Sequence, residues 1–236
     1  MMRKLTLFLW LLPFLAQAQI YQNGLLMPIN PKKIASPNDF AVYLPKGGFP
    51  AYDAPNGKRI GRIDVATHEG DISFIGATPQ SEITADPKYY KQISYSKSVL
   101  CYNAQKQGFV RVMGKYWIKV SDVQKKKFKV DNWQNFLNAN AGKLLGYYAN
   151  DPGLNLRSAP SIKGKRIKTL KGELMQITPL NINQGMWTKV KIHKLKKTPC
   201  ETNLSKEANT EYTLTGWIKI LDNDGTPNVW FYPKGC

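Results

Sequence analysis

The chain opens with one apolar run, Leu5 to Leu15, broken only by Thr6 and Pro13. No later apolar stretch matches it; hydrophobic residues instead come in short bursts separated by Gly, Pro and Asn. Ser98-Val99-Leu100-Cys101-Tyr102 is an apolar burst of strand type, and Val110 and Val112, or Trp187 and Lys189, alternate about the backbone with the period of two that strands require. Tyr116-Trp117-Ile118 and Gly216-Trp217-Ile218 predict two further short strands, whose large Trp is expected to close a small all-β core. One segment departs from this pattern. Trp133, Phe136 and Leu137 fall at i, i+3 and i+4, which predicts a short one-sided helix with Asp131 at its start and Asn140-Ala141-Gly142 as its stop.

Compared with itself, the chain repeats a pattern. Ala54-Pro55-Asn56-Gly57-Lys58-Arg59-Ile60-Gly61-Arg62-Ile63 is echoed by Ala159-Pro160 and then Gly164-Lys165-Arg166-Ile167-Lys168-Thr169-Leu170. Gly108 to Val112 followed by Tyr116-Trp117-Ile118-Lys119-Val120 is echoed by Met186 to Val190 followed by Gly216-Trp217-Ile218-Lys219-Ile220. Two matches in the same order argue for a duplicated unit of roughly 85 to 90 residues. The expected architecture is all-β: two small, partly open barrels joined by a short helical linker. In boundaries, residues 19–38 form an N-terminal extension, 39–123 the first unit and 124–145 a basic linker with the helix. Residues 146–236 form the second unit, with an insert from His193 to Thr215 and a C-terminal hairpin.

The opening run changes the expected compartment. Arg3 and Lys4 precede it and Ala16-Gln17-Ala18 follows, the layout of a secretory leader cut after Ala18. The run is shorter than the about 20 apolar residues that cross a bilayer, so no membrane span is expected, and no Cys follows it to carry a lipid. The mature protein is expected to be secreted or periplasmic. Its three cysteines, Cys101, Cys200 and Cys236, then lie where oxidation is allowed. A Cys200 to Cys236 bridge is favoured because it would hold the chain end, with Cys101 left as a buried thiol.

Charge adds a partner class. Lys and Arg number 34 against 16 Asp and Glu, and losing Arg3 and Lys4 lowers the formal net charge from +18 to +16. Gly142 to Pro199 is the basic part, with 12 Lys and Arg against Asp151 and Glu173. Within it Lys163, Lys165, Arg166, Lys168 and Lys171 form one cluster and Lys189, Lys191, Lys194, Lys196 and Lys197 another. Lys189 and Lys191, two apart in a strand, share a face. A solvated face is the alternative for any single Lys, but like charges kept together are more easily explained by an anionic partner.

The second copy, Tyr147-Tyr148-Ala149-Asn150-Asp151-Pro152-Gly153-Leu154-Asn155-Leu156-Arg157-Ser158-Ala159-Pro160, resembles the opening of bacterial SH3-like domains. Leu154 to Arg157, Pro160, Leu170-Lys171-Gly172 as a turn one residue short, Trp187-Thr188-Lys189-Val190 and Gly216-Trp217-Ile218 carry the resemblance. It reaches the first copy only through the repeat, where Tyr52-Asp53 replaces the Leu-Arg-Ser stretch. It implies an exported binding module, often directed at peptidoglycan or its peptide stems and often attached to a hydrolase. Grooves between the loops of such barrels take extended peptides, which makes Tyr148, Trp230 and Tyr232 groove candidates beside the cations Lys165, Arg166, Lys189 and Lys191.

Enzymatic chemistry finds little support. A Cys nucleophile needs an adjacent His, and the two histidines, His68 and His193, fall one in each half. No His-x-x-x-His or Cys-x-x-Cys spacing suggests a metal site, and Asp222-Asn223-Asp224-Gly225 lacks the Glu that would close a calcium loop. No carboxylate pair stands out, and no Gly-rich phosphate cradle occurs. A non-catalytic binding protein without a cofactor is therefore expected, its partner a cell-wall glycan or peptide or another anionic envelope polymer. An acidic protein held by an exported inhibitor is the alternative. Nucleic acid suits the charge, but the export signal argues against it.

Overall fold

The computed structural model describes residues 23–30, 41–66, 71–76, 78, 81–94, 97–141, 146–223 and 225–231. The leader, His68, Tyr232 and Cys236 lie outside the described residues. The chain is all-β in class. Its strands are β1 (Gly24–Pro28), β2 (Ala41–Tyr43), β3 (Phe49–Tyr52), β4 (Arg59–Val65), β5 (Ile72–Gly76), β6 (Glu82–Thr84), β7 (Tyr90–Ser94), β8 (Lys97–Lys106), β9 (Phe109–Val112) and β10 (Tyr116–Lys119). After α1 (Val120–Lys125) come β11 (Phe128–Asn132) and α2 (Trp133–Ala139). The second half holds β12 (Tyr147–Ala149), β13 (Leu154–Arg157), β14 (Arg166–Leu170), β15 (Met175–Gln184), β16 (Trp187–Leu195), α3 (Lys206–Asn209), β17 (Thr210–Lys219) and β18 (Val229–Phe231).

These strands form two sheets whose pairings leave both open. The second runs β14-β13-β17-β16-β15-β12-β18, and the first contains β4-β3-β10-β9-β8-β1-β11 in the matching order, with β5 and β6 added beyond β4 and β2 and β7 paired to β8. The two seven-strand paths correspond strand for strand. Registers agree as well: Trp117 faces Tyr52 as Trp217 faces Arg157, and each partner strand carries an irregularity at that residue. Two segments that sequence alone leaves outside the units belong to the first path. Gly24–Pro28, from the N-terminal extension, pairs along its length with Phe128–Asn132, from the basic linker.

Alternation explains the cores. In β10 Tyr116 and Ile118 are buried while Trp117 is only half-buried, and in β17 Ile218 is fully buried beside a half-buried Trp217. The Trp residues therefore do not close the cores as expected; the following Ile takes that place, because strand neighbours point to opposite faces. Gly216 has a separate task, since a side chain there would meet the Arg157 carbonyl and the Leu156 side chain where β13 crosses β17. One core gathers Leu26, Phe49, Ile63, Val110, Val112 and Ile118. The other joins Tyr147, Leu156, Ile177, Val190 and Ile218 to Trp133, Phe136 and Leu137 of α2, and to Leu25 and Val99 of the first sheet.

Helix α2 lies where predicted, although its cap is Asn132, whose side chain accepts from the Asn135 amide at 2.8 Å. Asp131 is instead a buried strand residue, its carboxylate held by Lys129 Nζ at 2.6 Å. Gln134 of α2 donates through Nε2 to the Gly185 carbonyl at 3.0 Å and to Thr188 Oγ1 at 3.4 Å, clamping the helix onto the β15–β16 hairpin. The expected insert is shorter than 193–215, because β16 and β17 stay paired from Trp187 with Lys219 out to Leu195 with Thr210. The C-terminal segment folds back through a turn at Asp222 to Thr226, with Leu221 bridged antiparallel to Pro227, and β18 then pairs with β12.

Candidate functional site

Two adjoining depressions share Asn150, the smaller lined by the second sheet and its turns and the larger lying where the two sheets meet. The smaller, about 350 Å³, is lined by Tyr148, Asn150, Asp151, Glu173 and Trp230 among others. Tyr148 and Trp230 face each other across β12 and β18, so pairing brings two of the predicted groove residues together. The larger, about 470 Å³, draws Asn23, Lys88, Tyr89, Lys91, Cys101, Tyr102 and Asn103 from the first half and Thr226 and Pro227 from the second, with Trp133 and Asn150 between. Asn150 lines both depressions and is fixed by its amide bond to the Pro227 carbonyl at 3.1 Å.

An aromatic stack forms the partition. The Trp230 ring lies 5.4 Å from Trp133, edge to face, and 5.9 Å from Phe136, nearly parallel. Lys91 Nζ sits 5.0 Å from the Trp230 centroid, a cation against the electron-rich face. Carboxylates Glu173 and Asp151 border the smaller depression, and ammonium groups Lys88 and Lys91 the larger. Lys88 is itself paired to Asp86 at 2.9 Å. Burial, reinforced by Glu173, pushes the Tyr148 hydroxyl up to about 12, so it stays protonated at any physiological pH.

The predicted cations lie elsewhere. Arg166 opens β14, Lys165 precedes it, and Lys189 and Lys191 project from the face of β16 opposite its buried Thr188, Val190 and Ile192. Lys189 faces Trp217, which faces Arg157, which faces Arg166. No family model, curated protein or solved structure matches the chain. The predicted ligand-binding residues divide between the junction, with Tyr148 and Trp230, and the outer face of the second sheet, with Arg166, Lys189 and Lys191, while Lys165 lies just before β14.

Several lining residues escaped sequence reasoning. Lys91, Tyr89 and Asn103 reach the larger depression through the pairing of β7 with β8 and the turn before β7, an arrangement without a local signature. Trp187, Trp217 and Lys219 could have been found by extending the two-residue period that marked Lys189 and Lys191. Cys101 lines the larger depression as a free cysteine, with burial pushing its thiol up to about 12 against a smaller lowering by Lys91. Such a thiol is a poor nucleophile. His193 lies on β16 of the other sheet. Among the described residues no three His, Cys, Asp or Glu side chains gather as metal ligands, and no helix is long and apolar enough to cross a membrane.

Proposed function

We propose that the chain is an exported, non-catalytic binding protein built from two SH3-like units, and that its junction groove takes a peptide stem of cell-envelope peptidoglycan. The observation that carries this reading is the mixed polarity of the groove: Glu173 and Asp151 border one depression, Lys91 the other, and Trp230 stands between them. A stem peptide carries carboxylates and an amine on a short extended backbone, which this order of charges complements. The repeated strand order supports the tandem units, and the leader-like N-terminus supports export with cleavage after Ala18. Because Cys101 is free, Cys200 and Cys236 remain as the available pair, and a bridge between them would anchor the segment that follows β18.

Titration with a soluble peptidoglycan stem peptide, followed by Trp fluorescence, tests the groove. Saturable binding is expected, weakened roughly threefold to tenfold by Lys91→Ala and by Glu173→Gln. Binding that neither exchange weakens would place the peptide elsewhere. Absence of binding, with an acidic protein held in a stoichiometric complex, would replace the envelope ligand by a protein partner.

A further inference from the structure

On the outer face of the second sheet, cations and indoles occupy alternating squares. Trp187 of β16 faces Lys219 of β17, and two residues on, Lys189 of β16 faces Trp217 of β17. Residues two apart in a strand share a face, and directly opposed residues do too, so both indoles and both ammonium groups project outward together. Lys191, opposite Thr215, continues the face along β16, and Arg157 and Arg166 continue it across β13 and β14. Trp187, Trp217, Lys189, Lys219 and Arg157 are half-buried, and Lys191 and Arg166 exposed. Among the described residues no carboxylate pairs with Lys189, Lys191, Arg157 or Arg166; Lys219 meets Asp222 at 3.6 Å at the margin.

The first sheet carries a corresponding face. Its matching row is Arg111, Trp117, Tyr52 and Arg59, with the Arg111 guanidinium 5.9 Å from the Trp117 centroid. There the counterpart of Trp187 is Phe109, buried beneath Tyr52 at 5.5 Å, and the Tyr52 hydroxyl donates to Asp122 of α1 at 3.1 Å. Helix α1 follows β10 directly, whereas β17 leads into Ile220, Leu221 and a turn. The second sheet thus keeps the cation and indole row, with half-buried Trp187 where the first sheet buries Phe109, and without an acid placed like Asp122 beside it.

Resting on the exported binding role above, we propose that this open face is a second site, separate from the junction groove, and that it binds an acidic polysaccharide. Indole faces pack against the C–H faces of sugar rings, while flanking ammonium and guanidinium groups meet carboxylate or sulfate substituents. Four strands about 4.8 Å apart present a flat strip about 14 Å across rather than a cavity, which suits a polymer chain over a small solute. The charge of the surrounding segment, 12 Lys and Arg against two acids, draws a polyanion to it and makes binding salt-sensitive.

Polygalacturonate is the probe, with neutral dextran and single-stranded poly(dT) alongside, and binding is followed by Trp fluorescence. Polygalacturonate should bind and dextran should not. Lys189→Gln/Lys191→Gln is expected to weaken binding about tenfold, Trp217→Ala and Trp187→Ala each about tenfold, and the charge-matched control Lys106→Gln/Lys119→Gln less than about twofold. Thermal melts establish that each variant is folded; the Lys pair belongs to neither core and remains informative if a Trp variant does not fold. Equal weakening by the control pair would reduce the effect to net charge and overturn the proposal. So would full retention by folded Trp variants, or poly(dT) binding as tightly with the same sensitivities. Lys91→Ala separates the sites: loss of polygalacturonate binding there overturns this inference, whereas failure of the stem peptide alone removes only the groove.

Discussion

Phe136→Ala tests whether the two sheets fold as one body. The ring is almost fully buried, nearly parallel to Trp230 at 5.9 Å, edge-on to Trp133 at 6.2 Å and 6.3 Å from Phe231. It belongs to the core that also includes Leu25 and Val99 of the first sheet. Truncating a buried Phe costs about 4 kcal/mol, the sum of lost transfer energy and an unfilled cavity. At roughly 3 °C per kcal/mol for a chain of this size, the melting temperature should fall by about 12 °C. Because α2 bridges the sheets, the loss should appear in one transition for the whole chain. Urea unfolding followed in parallel by Trp fluorescence and far-UV circular dichroism should show one coincident midpoint, displaced with unchanged slope. Two separated transitions, of which only one moves, would refute the shared core.

Other consequences are local. Since burial pushes the Cys101 thiol up to about 12, very little of it is thiolate at pH 8. Alkylation without reduction or denaturant should be slow, and rapid modification would contradict that burial. With the proposed bridge, intact mass after alkylation in denaturant should show one blocked thiol before reduction and three after; three before reduction would sink the pairing. His193 is held below its usual value of 6.5 by burial, then by Lys206 and Lys191. Protonation therefore favours the unfolded chain, so stability present above pH 6.5 is lost as pH falls from 6.5 through the lower folded value, and His193→Gln should flatten the decline between pH 7 and 5. Parallel declines in both proteins would refute the assignment. Asn132→Ala, which removes the α2 cap, should lower stability by about 1 kcal/mol in the same urea assay, and no change would show that the helix is held by packing alone.

What local chemistry dictates was legible. The duplicated turn and Trp-containing segments marked the strands that the two sheets place in matching order, and the spacing of Trp133, Phe136 and Leu137 marked α2 and its buried face. Partnership over long separations was not. Gly24–Pro28 looks like a loose extension until Phe128–Asn132 lies beside it, and Asp131 resembles a cap until its strand register buries it. The outward direction of Trp117 and Trp217 was readable from alternation, but a large aromatic is more readily expected inside. The proposed second site adds to that alternation a half-buried Trp187 where the first sheet buries Phe109, a difference that only the strand pairing reveals.

The most direct test of the proposed envelope-binding role is co-sedimentation of the purified protein with insoluble peptidoglycan at low and at high salt. Screening shrinks the reach of surface charge from about 10 Å at 0.1 M to about 3 Å at 1 M salt, while contacts within the groove persist. Retention that survives high salt and drops with Lys91→Ala or Glu173→Gln is the predicted result. Retention confined to low salt, or none at either salt, would contradict groove recognition of peptidoglycan.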